Sequence, residues 1–384
     1  MGRAVGGSAE KALRVADAQG VGDVDGHALA GFIEAEASFD IRPNNGGRSW
    51  VCGMTLTQRD DDADMLMDIV RVTGLGRLHQ RPARRSSRPQ VCWSMHSKLE
   101  CRHLVRLLER YPLRGRKQRE FATWAAAVTE WTESLYGAGG AATQRTLRAY
   151  AAELRDLRRY VDCPGDPGRS QRPASGLMAF LGGFFTGEGS FSLDRKAVAC
   201  IHLRADDADL LRTFQQCFDL GRVNLSTPSN ANPSARWTVC RRAELPRAIS
   251  LLDAAFLRGR KRREFEAWRI GAAEYARGRD RDETVIDAAR AALHEARSYV
   301  ERDIVLPSEV SAETAYVAVL GAFAAEEPVG KLTATAYARA REGHPEWPTR
   351  NTIALAFGGW ARALEAAGLG SRVSGRAGSG ARRA

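Results

Sequence analysis

Cysteine is sparse in this chain and follows no pattern. The seven are Cys52, Cys92, Cys101, Cys163, Cys200, Cys217 and Cys240. The count is odd and no two form a C-x-x-C pair, which excludes a zinc framework and a disulfide scaffold. Several fall inside apolar strand patterns and are expected as small core residues. A reducing cytosol is the expected compartment. Long apolar runs are also missing: no segment approaches the roughly 20 residues needed to span a bilayer. Met1 to Gly20 has no apolar stretch followed by a cleavage site, so no secretory signal is expected there. Acidic residues fall short of basic ones, 46 against 57, for a net charge of +11. That balance points to a polyanionic partner, nucleic acid ahead of an anionic membrane surface. With 44% hydrophobic residues over 384 positions, the chain can bury a sizeable core in two or three domains.

What is present is a duplication. The stretch Leu29-Ala30-Gly31-Phe32-Ile33-Glu34-Ala35-Glu36-Ala37-Ser38-Phe39 returns as Leu181-Gly182-Gly183-Phe184-Phe185-Thr186-Gly187-Glu188-Gly189-Ser190-Phe191. Each reads as a helix running into a strand. Gly31 and Ala35 in one copy, and Gly183 and Gly187 in the other, recur four apart and so share a helix face. Such a smooth face lets two helix backbones approach closely. Glu36 and Glu188 then stand at the C-terminal helix ends, where partial negative charge favours cations. If the helices pack together, two carboxylates meet at one negative end, and one is expected to protonate unless something positive intervenes. A divalent cation such as Mg²⁺, bound by carboxylate oxygens, is the simplest answer. An ordinary amphipathic helix with an acid at its solvent end is the bland alternative, and the duplication weighs against it.

These residues resemble the motif of the LAGLIDADG homing endonucleases. The resemblance implies that the last acid of each motif, Glu36 and Glu188, binds the catalytic metal, Mg²⁺ or Mn²⁺, with Ala37 and Gly189 beside it. Ala37 stands where that family usually has glycine. It also implies an α+β fold of two pseudo-symmetric αββαββα halves forming a DNA-binding saddle.

The rest of the chain repeats in the same order. Asp61-Asp62-Ala63-Asp64-Met65-Leu66 returns as Asp206-Asp207-Ala208-Asp209-Leu210-Leu211, and Leu75-Gly76-Arg77-Leu78 as Leu220-Gly221-Arg222-Val223. Trp93 returns as Trp237. Leu113 to Phe121 returns as Leu257 to Phe265, each block followed by a tryptophan, Trp124 or Trp268. The offset is 188 − 36 = 152 at the motif and 257 − 113 = 144 at the basic block. The expected domains are a weakly ordered 1–24, a first repeat 25–161, a Pro/Gly-rich linker 162–175, a second repeat 176–302, a small all-α helix-turn-helix-like module 306–370 and a disordered basic tail 371–384. The module, around Thr349 to Leu369, is similar to small repeats often attached to homing endonucleases. Thr349 is expected to cap a helix beginning at Arg350.

Strand alternation places Phe39 and Ile41 toward the core and Asp40 and Arg42 outward. The candidate outward groups are Arg42, Gln58, Arg77, His79, Arg81, Gln90, Arg204, Arg222, Asn224 and Arg236, of the types that read base edges. The bland alternative for each is a solvated polar face. Arg350 and Asn351 are candidate contacts in the helical module. The paired basic residues Arg116-Lys117 and Arg260-Lys261 either grip phosphates or, as the resemblance implies, stand near the metal and assist the chemistry. Lys117 and Lys261 are favoured as proton-handling groups and the arginines as charge clamps. The expected activity is site-specific cleavage of double-stranded DNA by a monomer. The rivals are a non-cleaving DNA-binding regulator and an RNA-splicing maturase, the latter with an RNA partner. A regulator has no reason to keep both acids.

Overall fold

The motif helices α1 (Asp23–Glu36) and α6 (Leu177–Glu188) cross at their glycines. A Cβ on Gly31 would stand 2.0 Å from the Phe180 carbonyl oxygen, and one on Gly183 would stand 1.8 Å from that of Ala28. No side chain fits between the two backbones, so only glycine permits this approach. Around the crossing, Leu29, Phe32, Ile33, Phe180, Phe184 and Phe185 are buried and join both halves into one core. The structure, a computed structural model, describes residues 21–83, 87–133, 140–161, 176–228, 232–304, 306, 312–344 and 347–373. The expectations for residues 1–20, for the linker 162–175, for part of the basic loop (84–86) and for most of the tail (374–384) lie outside the described residues.

After α1 the first half continues as β1 (Ser38–Asn44), β2 (Ser49–Arg59), α2 (Ala63–Thr73), β3 (Arg77–Arg81), β4 (Gln90–Met95), α3 (Lys98–Arg110), α4 (Lys117–Glu133) and α5 (Ala141–Leu157). After α6 the second half repeats it as β5 (Gly189–Leu193), β6 (Ala197–Arg204), α7 (Ala208–Phe218), β7 (Arg222–Ser226), β8 (Ser234–Val239), α8 (Leu245–Ala254), α9 (Gly259–Arg277) and α10 (Glu283–Arg297). Each half holds an antiparallel sheet, in the orders β1-β2-β4-β3 and β5-β6-β8-β7. The repeated tryptophans do the same work in both copies. Trp93 donates its indole N–H to the Leu75 carbonyl and Trp237 to that of Leu220, each at 2.8 Å. Phe39 packs on Trp124 as Phe191 packs on Trp268. Cys52, Cys92, Cys101 and Cys200 are buried free thiols, as expected of small core residues.

The halves are stitched by exchanged contacts. Arg59 donates to the carbonyls of Arg297 (3.1 Å) and Ser298 (3.3 Å) and lies over the Tyr299 ring. Arg204, its counterpart, donates to the Arg158 carbonyl (2.8 Å) and lies over the Tyr160 ring.

Helices α11 (Ala312–Glu326), α12 (Ala334–Gly343), α13 (Arg350–Phe357) and α14 (Trp360–Ala366) form a module with its own core of Leu320, Phe323, Tyr337, Ile353 and Leu364. The Thr349 side chain accepts the Thr352 N–H, as its capping position requires. The module packs against Leu99 of α3 in the first half. Among the described residues, no helix is long and apolar enough to cross a membrane.

Candidate active centre

Because α1 and α6 cross with their C-terminal ends together, they bring their last residues close. The Glu36 side chain lies over Gly187, where a Cβ would meet its Cγ at 2.9 Å and Oε1 at 3.0 Å. Desolvation raises the Glu36 carboxyl above its ordinary value, while the Gln58 side-chain hydrogen bond and the cations Lys117, Arg260 and Lys261 oppose the rise. Glu188, more exposed, is raised by desolvation and then by the negative charge of Glu36, with Lys117 opposing. Two carboxylates, one from each helix, therefore press on one another, as expected from the sequence.

The cation that reaches this helix end is Lys117. Its ammonium donates to the carbonyls of Ile33 and Ala35, each at 3.2 Å, and of Ala37 at 2.6 Å. Those carbonyls end α1, where a positive charge is stabilised by the helix dipole. The Ala37 carbonyl, expected beside a metal, is thus taken by Lys117. Lys261 behaves differently. It is 6% exposed and directs its ammonium to Glu264, at 3.4 and 3.5 Å. Burial holds both ammonium groups below the ordinary lysine value.

Arg116 and Arg260 are not free clamps. Arg116 pairs with Glu120 one helical turn on, and Arg260 with Glu264 at 2.6 Å. Each buried glutamate takes a second arginine, Arg158 on Glu120 (2.9 Å) and Arg297 on Glu264 (3.4 Å). Burying a charge is costly unless it is paired, and these arginines supply the pairing for both glutamates. The guanidinium groups expected to clamp transition-state charge are thus engaged by Glu120 and Glu264.

The donor set fits a hard divalent cation. Both acids are raised by desolvation, Glu188 further by its neighbour, and a cation between them relieves both effects. Among the described residues no larger cluster of His, Cys, Asp and Glu with the makings of a metal site is found. The remaining ligands would be water and phosphate oxygens, the usual company of Mg²⁺.

Residues 29–128 match the family model described as LAGLIDADG endonuclease, and residues 175–241 the model described as LAGLIDADG-like domain. The chain carries two LAGLIDADG domains. No curated protein matches it by sequence. Among solved structures it is similar to the LAGLIDADG homing endonuclease I-GzeII in complex with its DNA target. There the TM-score is 0.57 and the identity 16%, over 72% of this chain and 99% of that one. It is similar also to I-SmaMI bound to uncleaved DNA target in the presence of calcium ions, with TM-score 0.55 and 19% identity over 70% and 97%. A third is I-SmaMI bound to cleaved DNA, with TM-score 0.54 and 18% identity over 71% and 98%. At these identities the likeness is one of fold.

Register sorts the candidate contact residues of the two sheets. In the first sheet, Phe39, Met54 and Met95 form a row on the core face, and Leu56, Trp93 and Leu78 form the next. The opposite face carries Ser38, Thr55, Ser94 and Arg77 in one row, then Thr57, Cys92 and His79, then Arg59, Gln90 and Arg81. Arg42 lies on that face and pairs with Asp40 at 3.4 Å. Arg42, Arg77, His79 and Arg81 are exposed, and Gln90 is half-buried. In the second sheet the outer face presents exposed Arg222, Asn224 and Arg236, the last donating to Cys200 Sγ at 3.0 Å. Arg350 and Asn351 are exposed at the start of α13.

Two of the expected outward residues are placed otherwise. Gln58 falls in the core-face parity with Met54 and Leu56, opposite Val91, and its side chain bonds Glu36. Arg204 has outer-face parity but is held by Asp206, the Arg158 carbonyl and Tyr160.

Sequence reasoning missed Glu34. It is 4% exposed and accepts the backbone N–H groups of Arg114 (3.1 Å), Gly115 (3.1 Å) and Lys117 (2.8 Å), which fixes the basic block against α1. Burial and the nearby Asp207 push its carboxyl up to about 7. Its counterpart, Thr186, accepts the Arg258 N–H at 3.2 Å. The available signal was one acid inside an otherwise small and apolar helix face.

Proposed function

We propose that this chain is a site-specific endonuclease that hydrolyses phosphodiester bonds of double-stranded DNA as a monomer. The observation that carries the reading is the meeting of Glu36 and Glu188 at the ends of two crossed helices, each helix leading into a sheet whose outer face is basic. The DNA-bound state of the similar folds supports it.

Glu36 and Glu188 would hold Mg²⁺ or Mn²⁺. When bound, such an ion supplies Lewis-acid stabilisation of charge on phosphate oxygens. The chain's own residues do the positioning. Gln58 orients the Glu36 carboxylate, and Lys117 neutralises the helix end and lends positive charge to both acids. Arg42, Arg77, His79, Arg81 and Gln90 in one half, with Arg222, Asn224 and Arg236 in the other, offer donors to base edges in a major groove. Arg350 and Asn351 extend the contact through the helical module. The two sheets differ at most positions, so the site read is long and asymmetric. A cytoplasmic location suits this role.

The experiment is cleavage of a randomised-site plasmid library with Mg²⁺ and with Ca²⁺. Linear product at one long sequence with Mg²⁺ alone is the expected result. Selective retention without cutting under either ion would replace the nuclease by a DNA-binding regulator. Enrichment of no DNA sequence would turn attention to RNA.

A further inference from the structure

The far end of the second sheet carries a cationic site remote from the two acids. β5 runs outward from Glu188 and turns back through Arg195 and Lys196. There an open cavity of roughly 550 Å³ is lined by Arg195, Lys196, Arg242, Tyr275, Arg279 and Arg281. Glu283 is the acid in that lining, and it is tied to Arg281 at 2.6 Å. Arg195, Arg242 and Arg279 have no carboxylate partner among the described residues.

Three of these cations, Arg281, Lys196 and Arg242, are held by their neighbours. The Tyr275 hydroxyl donates to the Asp194 carbonyl at 2.6 Å while its ring carries Arg281. Lys196 Nζ stands 3.6 Å from Cys240 Sγ. The backbone turns at Gly278 with φ +76°, where a Cβ would stand 1.7 Å from Arg242 Nη1. The chain is therefore shaped around the Arg242 guanidinium.

The first half differs at the matching place. With the offset of 144, Arg242 corresponds to Lys98. Lys98 lies over the Trp131 ring and feels the charge of Arg341 from the helical module, which also covers Leu99. One distal end is thus capped by helices and the other is open and basic.

We propose that the open cavity grips backbone phosphates of double-stranded DNA where the duplex runs past the second half. The outer face leads there: β8 carries Arg236 and ends one residue before Cys240, on the cavity rim. Guanidinium forks match phosphate oxygens bidentately. The proposal rests on the nuclease reading only in requiring that a duplex lie along the outer faces of both sheets.

The test uses the full-length protein and duplexes carrying its selected site, trimmed stepwise from either end. Trimming the second-half flank is expected to weaken binding. Arg195→Ala/Arg242→Ala/Arg279→Ala is expected to abolish that sensitivity while leaving base preference unchanged. Because each phosphate contact contributes roughly 0.9 to the slope of log K against log salt, the slope should fall by about 2–3. Replacing the same three residues by Lys should retain the slope, which separates lost charge from lost folding. An alanine variant with the wild-type slope and trimming profile overturns the proposal and leaves the nuclease reading standing. Weakened binding confined to single-stranded RNA overturns it in favour of RNA. A wild-type protein that selects no duplex overturns the nuclease reading and this one with it.

Discussion

The carboxylate of Asp207 accepts the backbone N–H of Arg116 at 2.8 Å, across the boundary between the two halves. Asp62 does the same for Arg260 at 2.6 Å and also approaches the side chains of Arg260 (3.6 Å) and Arg263 (3.7 Å). Both carboxylates sit at the starts of α4 and α9, where a helix dipole favours negative charge. Leaving a buried donor unpaired costs about 1–3 kcal/mol. Asp207→Ala and Asp62→Ala should each lower the unfolding free energy by that amount, read as a lower urea midpoint, Asp62→Ala by more. Two unchanged midpoints would show these contacts to be idle.

The helix crossing is less tolerant. A Cβ at Gly31 or Gly183 would fall within 2.0 Å of a backbone oxygen that cannot move alone. Overpacking typically costs about 1–3 kcal/mol and occasionally more. Gly183→Ala and Gly31→Ala should reach or exceed the top of that range and yield little folded protein. A folded, fully stable Gly183→Ala protein would mean the helices stand further apart.

Glu36→Gln or Glu188→Gln should abolish double-strand cutting and leave site binding largely intact, measured by plasmid linearisation beside a gel shift. Both carboxyls are raised above the ordinary carboxylate value. Cleavage that needs both ionised should therefore rise with pH through a range above that value. A double variant that still cleaves would remove these acids from the chemistry.

Glu34 provides a separate pH signature. Its carboxyl stands at about 7 when folded against an ordinary 4.5. Between those values the folded protein keeps a proton that the unfolded chain has lost, so stability falls as pH rises through the window and then levels. The loss is on the order of 3 kcal/mol. Glu34→Gln keeps an acceptor oxygen and never ionises, so its Tm relative to wild type should climb between pH 5 and 8. A constant Tm difference across that range would count against this burial effect.

Deleting residues 306–384 should weaken DNA binding and flatten its salt dependence. Equal affinity and slope would leave the module as packing against Leu99.

Much of this was legible in the residues. The repeated motif, the second repeat of Asp-Asp-Ala-Asp and the repeated tryptophans set out the order of elements in both halves. Alternation in β1 sorted Phe39 and Ile41 from Arg42. Alternation alone does not pass from one strand to the next, because register depends on pairing, and so Gln58 was placed on the wrong face. Arg204 has the right face, and the acid two residues on, Asp206, was the visible warning. The fates of Arg116 and Arg260 were also written in plain spacing, since Glu120 and Glu264 stand four residues on, the distance of a helical ion pair. The divergence of Lys117 and Lys261 was not, since both sit in nearly identical local sequence and differ only in what tertiary packing brings near.

The exchanged aspartates have a consequence for anyone recombining such proteins. Each half's basic block is closed by the other half's carboxylate, so neither copy carries a complete set of its own parts. A chimaera that grafts one half onto a foreign partner inherits two donors and two acceptors that have never met. Its success will turn on whether an acid two residues into the turn before α2 or α7 happens to be present in the graft, and matching the helix crossing alone will not rescue it.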